Sequence, residues 1–144
     1  SHHVNLDTKI KQKGIENQIN FLNDDLKVTV YGSFLKSRKD NGQAQNRRPD
    51  LSFGINLEKK LDNNILKNSK IGILQKFTGK YTDWDGAKNS KQKSVNIVDV
   101  NFQKKIFKSI FSINLTNIFN EKYEKPALYS QDGRKIMFGF LSKY

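Results

Sequence analysis

The chain has no cysteine, two prolines, one tryptophan and one methionine among its 144 residues. Without cysteine there is no disulfide framework, no cysteine-based zinc site and no thiol nucleophile. Histidine is almost as scarce. His2 and His3 stand side by side with no third ligand in sequence, so they read as a tag or loop remnant rather than a metal site. No stretch approaches the ~18 uninterrupted apolar residues of a spanning helix, and the N-terminal residues show no apolar signal-peptide region. Hydrophobic residues make up only 35% of the chain and the mean hydropathy is −0.73, too little for a thick core enclosed from both sides. Acidic residues are also few, 14 against 26 Lys and Arg, for a formal charge of +12. An anionic neighbour follows from that imbalance, whether nucleic acid, phospholipid or lipopolysaccharide. No glycine-rich phosphate loop and no nucleophile–base pairing is present. The expectation is therefore a protein that is not an enzyme, with no catalytic residue, metal or cofactor.

What the chain does contain is alternation. Leu26, Val28, Val30, Gly32 and Phe34 share one strand face, with Lys27, Thr29, Tyr31 and Ser33 on the other. Leu51, Phe53, Ile55 and Leu57 repeat the pattern, as do Ile71, Ile73, Phe77 and Tyr81; Val98, Val100 and Phe102; Phe111, Ile113 and Leu115; and Ile136, Phe138 and Phe140. With a first strand over residues 8–22, carrying Ile15, Ile19 and Phe21 on one face, this period of two predicts an all-β chain of about seven antiparallel strands.

The connections differ in kind. Asn23–Asp25, Asp62–Asn64 and the region around Lys104–Lys105 are predicted tight turns, whereas residues 37–49, 83–92 and 120–133 are long, polar and marked by Asn-Gly or Asp-Gly pairs. Short turns at one end and long loops at the other are the pattern of a transmembrane β-barrel, in which each strand needs only one apolar side. Arg38, Lys39, Arg47, Arg48, Lys88, Lys91, Lys93, Lys122 and Lys125 fall in or beside the long loops; Lys59, Lys60, Lys104, Lys105 and Lys108 lie near the short turns. Few basic residues are expected on the apolar stripes, and those at strand ends can reach head-group phosphates. A count of seven does not close an up-and-down barrel, which needs an even number of strands. Either the count is off by one strand or the chain is an arc of a larger barrel.

The ending "INLTNIFNEKY" (Ile113 to Tyr123), followed by a loop and "GRKIMFGFLSKY" (Gly133 to Tyr144), resembles the C-terminal hairpin of TonB-dependent outer-membrane receptors. "KQKGIENQINF", "NRRPDLSFGINL", "FTGKYTDWDG" and "VNIVDVNFQKKI" resemble successive strands of the same family in the same order, covering nearly the whole chain. The double arginine Arg47-Arg48 and, more loosely, Tyr129-Ser130-Gln131 are most similar to the vitamin B12 receptors. The segment Asp83-Trp84-Asp85-Gly86 fits no part of the pattern.

The resemblance implies that residues 1–144 are the C-terminal part of a receptor barrel of roughly 22 strands, with the plug domain and the N-terminal strands outside this sequence. It implies location in the cell outer membrane and active uptake of a scarce large solute, cobalamin ahead of a ferric siderophore. The implied partners are outer-membrane lipid and lipopolysaccharide, the remaining barrel and plug, TonB acting through that plug, and the barrel-assembly machinery. Ile136, Phe138, Phe140 and Tyr144 resemble the aromatic C-terminal signal that the machinery reads, although Ser142 stands where an apolar residue is usual. Arg47 and Tyr129 match substrate-contact positions, where an arginine offers several donors and a tyrosine stacks while donating one hydrogen bond. Trp84, at a loop tip, is the third candidate for stacking on a bulky ligand. The plainer readings are a head-group-facing arginine and interfacial aromatic anchors. Asp83 and Asp85 have the start of a calcium-loop spacing but lack its later ligands, which favours an Asp-Gly turn.

The alternative function is a soluble basic β-domain that binds nucleic acid through stacked aromatics and a lysine groove. It requires aromatics and lysines mixed on one strand face. The pattern instead puts aromatics on the apolar face and lysines at the ends, so no nucleic-acid partner is expected.

Overall fold

A computed structural model describes residues 9–142. Within it run β1 (Ile10–Leu22), β2 (Leu26–Lys39), β3 (Leu51–Leu61), β4 (Ser69–Thr78), β5 (Tyr81–Trp84), β6 (Asn89–Gln92), β7 (Val95–Ile106), β8 (Ser109–Thr116) and β9 (Lys135–Ser142). Seven of these form one antiparallel sheet in the order β1-β2-β3-β4-β7-β8-β9, and β5 pairs only with β6. The main sheet has the expected seven strands. β1 and β9 are its two edges and do not pair with each other, so the described residues make an open arc.

The register carries the alternation across the whole sheet. Phe21, Val28, Leu57, Ile73, Val100, Leu115 and Ile136 lie opposite one another in turn, one residue from each strand. The next row on the same face contains Ile71, Phe102, Ile113 and Phe138. Two aromatic pairs reinforce it: Phe53 stacks on Phe77 with ring centroids 4.7 Å apart, and Phe111 meets Phe140 at 5.0 Å. Each such cross-strand pair contributes roughly 0.2–1 kcal/mol. Among the described residues no second layer covers this face. Phe138 is 79% exposed and Ile19 70%, while Val95 and Ala127 are the only buried hydrophobics among the described residues. A continuous apolar surface of this extent needs an apolar neighbour.

The opposite face is mostly polar, with Leu74 and Met137 among its exceptions. Asn20, Thr29 and Asn56 occupy one row, with the Thr29 hydroxyl donating to Asn20 Oδ1 at 2.9 Å, and Asn101 donates its side-chain amide to Asn114. Tyr31 lies across Gly54 so closely that a Cβ there would fall 2.5 Å from Tyr31 Cζ and from the Gln75 carbonyl. A glycine is what lets the ring lie flat against the strand.

Three points depart from the sequence expectations. First, Lys104 and Lys105 are inside β7, and the turn falls at Phe107–Lys108. The strand continues because Lys104 stays in register with Phe111 and sends its ammonium to the Ile65 carbonyl, 2.7 Å away. Second, Tyr81 keeps the phase of Phe77 yet belongs to the separate β5–β6 hairpin: the Gly79 amide turns back to the Leu51 carbonyl at 2.8 Å and ends the β4 ladder. Third, basic residues do fall on the apolar side. Lys11, Lys13, Lys36 and Arg38 share the parity of Ile15 and Phe34 at the long-loop end, and Lys59 and Lys104 do so at the short-turn end. The stripe is also broken by Gln75 and Asn96, whose side chains hydrogen-bond each other at 2.5 Å.

The asymmetry of the connections is present. Asn23–Asp25 is a side-chain-closed turn in which Asn23 Oδ1 accepts the amides of Asp25 and Leu26; residues 62–68 and Phe107–Lys108 complete that end. Residues 40–50, 79–94 and 117–134 are all at the other end. Ile136, Phe138 and Phe140 share one face of β9, opposite Leu115, Ile113 and Phe111. Tyr144 and the His2-His3 pair lie outside the described residues.

Candidate functional site

The long-loop end is built differently from the sheet, around a few polar side chains. In the first loop, Arg38 grips Asp50 through both terminal nitrogens, at 2.9 and 2.6 Å. The fully covered Ser37 donates to Gln45 Oε1 at 2.5 Å. Asp50 accordingly sits below its ordinary range, chiefly because of the Arg38 hydrogen bonds, with Lys36 adding to the attraction. The third loop is organised by Asn117, which is 4% exposed. Its amide nitrogen donates to the carbonyls of Glu121 and Asp132, its Oδ1 accepts the Glu121 amide, and its backbone amide donates to Asp99 Oδ1. Nearby, Asn120 Oδ1 accepts the Arg134 amide at 3.0 Å. It reaches across Gly133 so closely that any Cβ there would lie 2.5 Å from that oxygen.

Asp83 joins the three loops. Its carboxylate has no exposed surface. Oδ1 accepts Arg47 Nε of the first loop at 2.6 Å and the Trp84 amide at 2.8 Å, and Oδ2 accepts the Ala127 amide of the third loop at 2.8 Å. The Arg47 backbone amide also donates to the Thr82 carbonyl at 2.7 Å. Burial alone would push this carboxyl up, but the Ala127 amide, the Arg47 guanidinium and the Trp84 amide together outweigh it and hold Asp83 below its ordinary value of 3.8. Tyr81 is pushed up, first by burial and then by the nearby Asp83 charge. The hydrogen bonds therefore decide the ionisation of Asp83 against the cost of burial.

Among the described residues, Arg47 alone of the expected site residues gives this clasp a side-chain bond. Arg47 bonds Asp83 directly, Trp84 is its chain neighbour, and Tyr129 is two residues beyond Ala127. Arg47 is half committed: its Nε is used, while its side chain is 62% exposed. Trp84 and Tyr129 are 50% and 67% exposed. Asp85 is a turn residue, its Oδ1 accepting the amides of Ala87 and Lys88 at 3.0 and 2.9 Å, with Gly86 following at φ 94°.

Two clefts flank the clasp. The larger, about 730 Å³, lies between β6 and the third loop and is lined by Lys91, Lys93, Lys122, Tyr123, Glu124 and Gln131 among others. Lys93 is paired with Glu121 at 3.1 Å, and Lys91 and Lys122 against Glu124 leave the lining net basic. The smaller, about 450 Å³, lies on the polar side of the sheet against Arg47, Ser52, Thr78, Tyr81, Asp83 and Lys125. Trp84 and Tyr129 line neither. Sequence reasoning missed Lys91, Lys93, Lys122 and Tyr123 as cleft residues and Asp83 as the anchor, because contacts between loops leave no periodic signal.

No family model and no curated protein matches the sequence. Solved structures do. The ferripyoverdine receptor of the outer membrane of Pseudomonas aeruginosa, bound to ferripyoverdine, superposes with a TM-score of 0.80 at 21% identity, covering 92% of this chain and 19% of that one. The FpvAI–pyocin S2 complex gives 0.80 at 22% identity over 92% and 19%. The FrpB iron transporter from Neisseria meningitidis, F3-3 variant, gives 0.71 at 19% identity over 91% and 23%. These neighbours are TonB-dependent outer-membrane receptors, transport proteins rather than enzymes. The fold of this chain is that of a barrel segment of such receptors. The chain spans about a fifth of the length of the first two and under a quarter of the third.

Proposed function

We propose that this chain is the C-terminal part of a TonB-dependent outer-membrane receptor, and that the whole protein takes up a scarce large solute. The observation that carries the reading is the one-sided sheet: an uncovered apolar row across seven strands, a mostly polar reverse face, and all long loops at one end. Lipid would cover the first and a water-filled or plugged lumen the second. In this reading the rest of the barrel pairs with the edges of β1 and β9, the plug fills the lumen and receives TonB, and the assembly machinery recognises the β9 aromatics together with Tyr144.

For the ligand, the sequence resemblance ranks cobalamin first, whereas the structural neighbours are named for ferripyoverdine and iron. A basic cleft of this size suits an anionic iron chelate better than it distinguishes a corrinoid. A ferric siderophore is therefore the first ligand to test and cobalamin the second. Arg47, Trp84 and Tyr129 are the contact candidates on the clasp, with Lys91, Lys93 and Lys122 supplying the field of the larger cleft. The basic residues on the apolar face stand at its two ends rather than among the central aromatics, which disfavours the nucleic-acid reading.

Two experiments test this. Refolding of the chain in aqueous buffer, detergent and bilayers, followed by circular dichroism and lipid cosedimentation, should give ordered β-structure only with detergent or lipid. A folded, soluble monomer in plain buffer overturns the membrane reading. Equilibrium binding of ferric siderophores and of cobalamin to the natural-length protein decides the substrate.

A further inference from the structure

The tip of the first long loop sets an amide side chain against its own backbone. Asn41-Gly42 is the only Asn-Gly pair in the sequence, and Asn41, Gly42 and Gln43 are all exposed. Gly42 has φ 79°, and a Cβ built on it would meet nothing within 4 Å. Asn41 Oδ1 accepts the Gln43 amide at 3.1 Å, closing a turn through the side chain. The ring made by that bond contains both Asn41 Cγ and the Gly42 nitrogen. Beneath the tip the chain is tied down: the Lys39 amide donates to the Gln43 carbonyl at 2.9 Å, the Gln45 amide donates to the Ser37 carbonyl at 3.0 Å, and Arg38 bridges to Ala44.

We propose that Asn41 is a site of spontaneous deamidation, attacked by the backbone nitrogen of Gly42. The nitrogen gives up its proton and bonds to Asn41 Cγ; the Cγ–Nδ2 bond breaks, and ammonia leaves with that proton. Water then opens the cyclic imide at either carbonyl, leaving aspartate or isoaspartate at this position. No oxidant, reductant or cofactor enters. The charge that develops during attack falls on Oδ1, where the Gln43 N–H already points, a donor placed for the transition state. Without a side chain on Gly42 the nucleophile is unshielded. One contact opposes the reaction: the Gly42 amide donates to the Lys39 carbonyl at 2.9 Å. In an exposed turn such a bond slows attack by no more than about tenfold. Asn23 is the internal comparison. Its Oδ1 accepts the amides of Asp25 and Leu26, the same turn chemistry, but Asp24 follows it and brings a side chain and a negative charge to the nucleophile. Conversion of Asn41 puts a carboxylate beside Lys39, and the isoaspartate form also adds one carbon to the main chain. Because the bonds beneath the tip persist, one sequence presents this loop in more than one chemical form while the Asp83 clasp stays as it is.

The test incubates the natural-length protein in detergent at neutral and at mildly alkaline pH. Conversion is followed by peptide mapping with mass spectrometry and by labelling with an isoaspartate-specific methyltransferase. The peptide carrying Asn41 should convert, faster at the higher pH, to both products, while the peptide carrying Asn23 stays intact over the same period. Gly42→Ala should slow conversion by about tenfold or more, whereas Gln43→Ala, which keeps the amide donor, should leave the rate unchanged. Hydrogen-exchange protection at residues 82–84 should be the same before and after conversion. An Asn41 that survives in the folded protein but converts in the urea-unfolded chain would show that the Lys39 carbonyl shields the nucleophile, and overturns the site. Equal rates at Asn41 and Asn23, or an undiminished rate in Gly42→Ala, overturn it as well. Lost protection at residues 82–84 overturns the insulation of the clasp from the tip.

Discussion

The sheet and the long-loop end hold together by opposite means. In the sheet, stabilisation is spread over many equivalent neighbours: the row from Phe21 to Ile136 repeats one kind of contact on seven strands. At the loop end, Asp83, Asn117 and Ser37 each satisfy several partners, and each is buried. Distributed contacts tolerate the loss of a member but depend on the solvent against the face. Concentrated contacts are indifferent to lipid and fail at one residue.

The sharpest way to break this comparison is a charge in the apolar row. Ile73→Arg, near the centre of the sheet, should cost about 2–4 kcal/mol at mid-membrane depth, seen as lower refolding yield and a lower unfolding midpoint in bilayers. If Ile73→Arg folds as well as wild type in lipid, the apolar face does not meet the membrane. Next in size is Asp83→Ala. It strands the amides of Ala127 and Trp84 and should loosen all three loops by about 2–3 kcal/mol. Hydrogen exchange should accelerate at residues 46–47, 82–84 and 127–128, with strand protection and β-type circular dichroism unchanged. Loosening confined to the β5–β6 hairpin would deny Asp83 its joining role.

Acid sharpens the same point. Because the folded carboxyl of Asp83 lies below its ordinary value of 3.8, its contribution is complete above that value and is lost as pH falls through the lower, folded one. Loop protection factors, which divide out the intrinsic pH dependence of amide exchange, should therefore be flat from neutral pH down to about 5 and fall only below the ordinary carboxylate range. Smaller still, Gly133→Ala should destabilise the third loop by about 1–2 kcal/mol through the displaced Asn120 carbonyl, visible as a shifted Arg134 amide resonance. Smallest is Phe53→Leu, which removes one stacked aromatic pair worth roughly 0.2–1 kcal/mol and leaves the fold intact.

How much of this was legible in the sequence follows the same division. A period of two survives translation into structure because each residue's face depends only on its own parity, so Leu57, Ile73 and Val100 could be placed without knowing their partners. Turn positions were less secure. Asn23 announces its turn by chemistry, closing it with its own side chain, whereas nothing local distinguishes Lys104–Lys105 from Phe107–Lys108, and the register of β7 on β8 decides. Tyr81 deceived by keeping phase across the end of β4. Asp83 is the clearest failure: it belongs to the one stretch that fitted no pattern, since its partners lie 36 and 44 residues away and no spacing encodes them. Arg47 was singled out as a ligand contact, and its first partner proves to be a loop carboxylate.

The sharing of Asp83 has a consequence for how the outer surface can vary. Three loops that hang from one carboxylate cannot be exchanged one at a time. The tip of the first loop around Asn41 and Gly42, which lies outside the clasp, is free to lengthen or change its residues. A length change between Gln45 and Arg47, or between Glu124 and Leu128, pulls on the other two loops as well. Sequence changes at this end should therefore collect at the tips and spare the clasp, giving a changeable skin over a fixed knot.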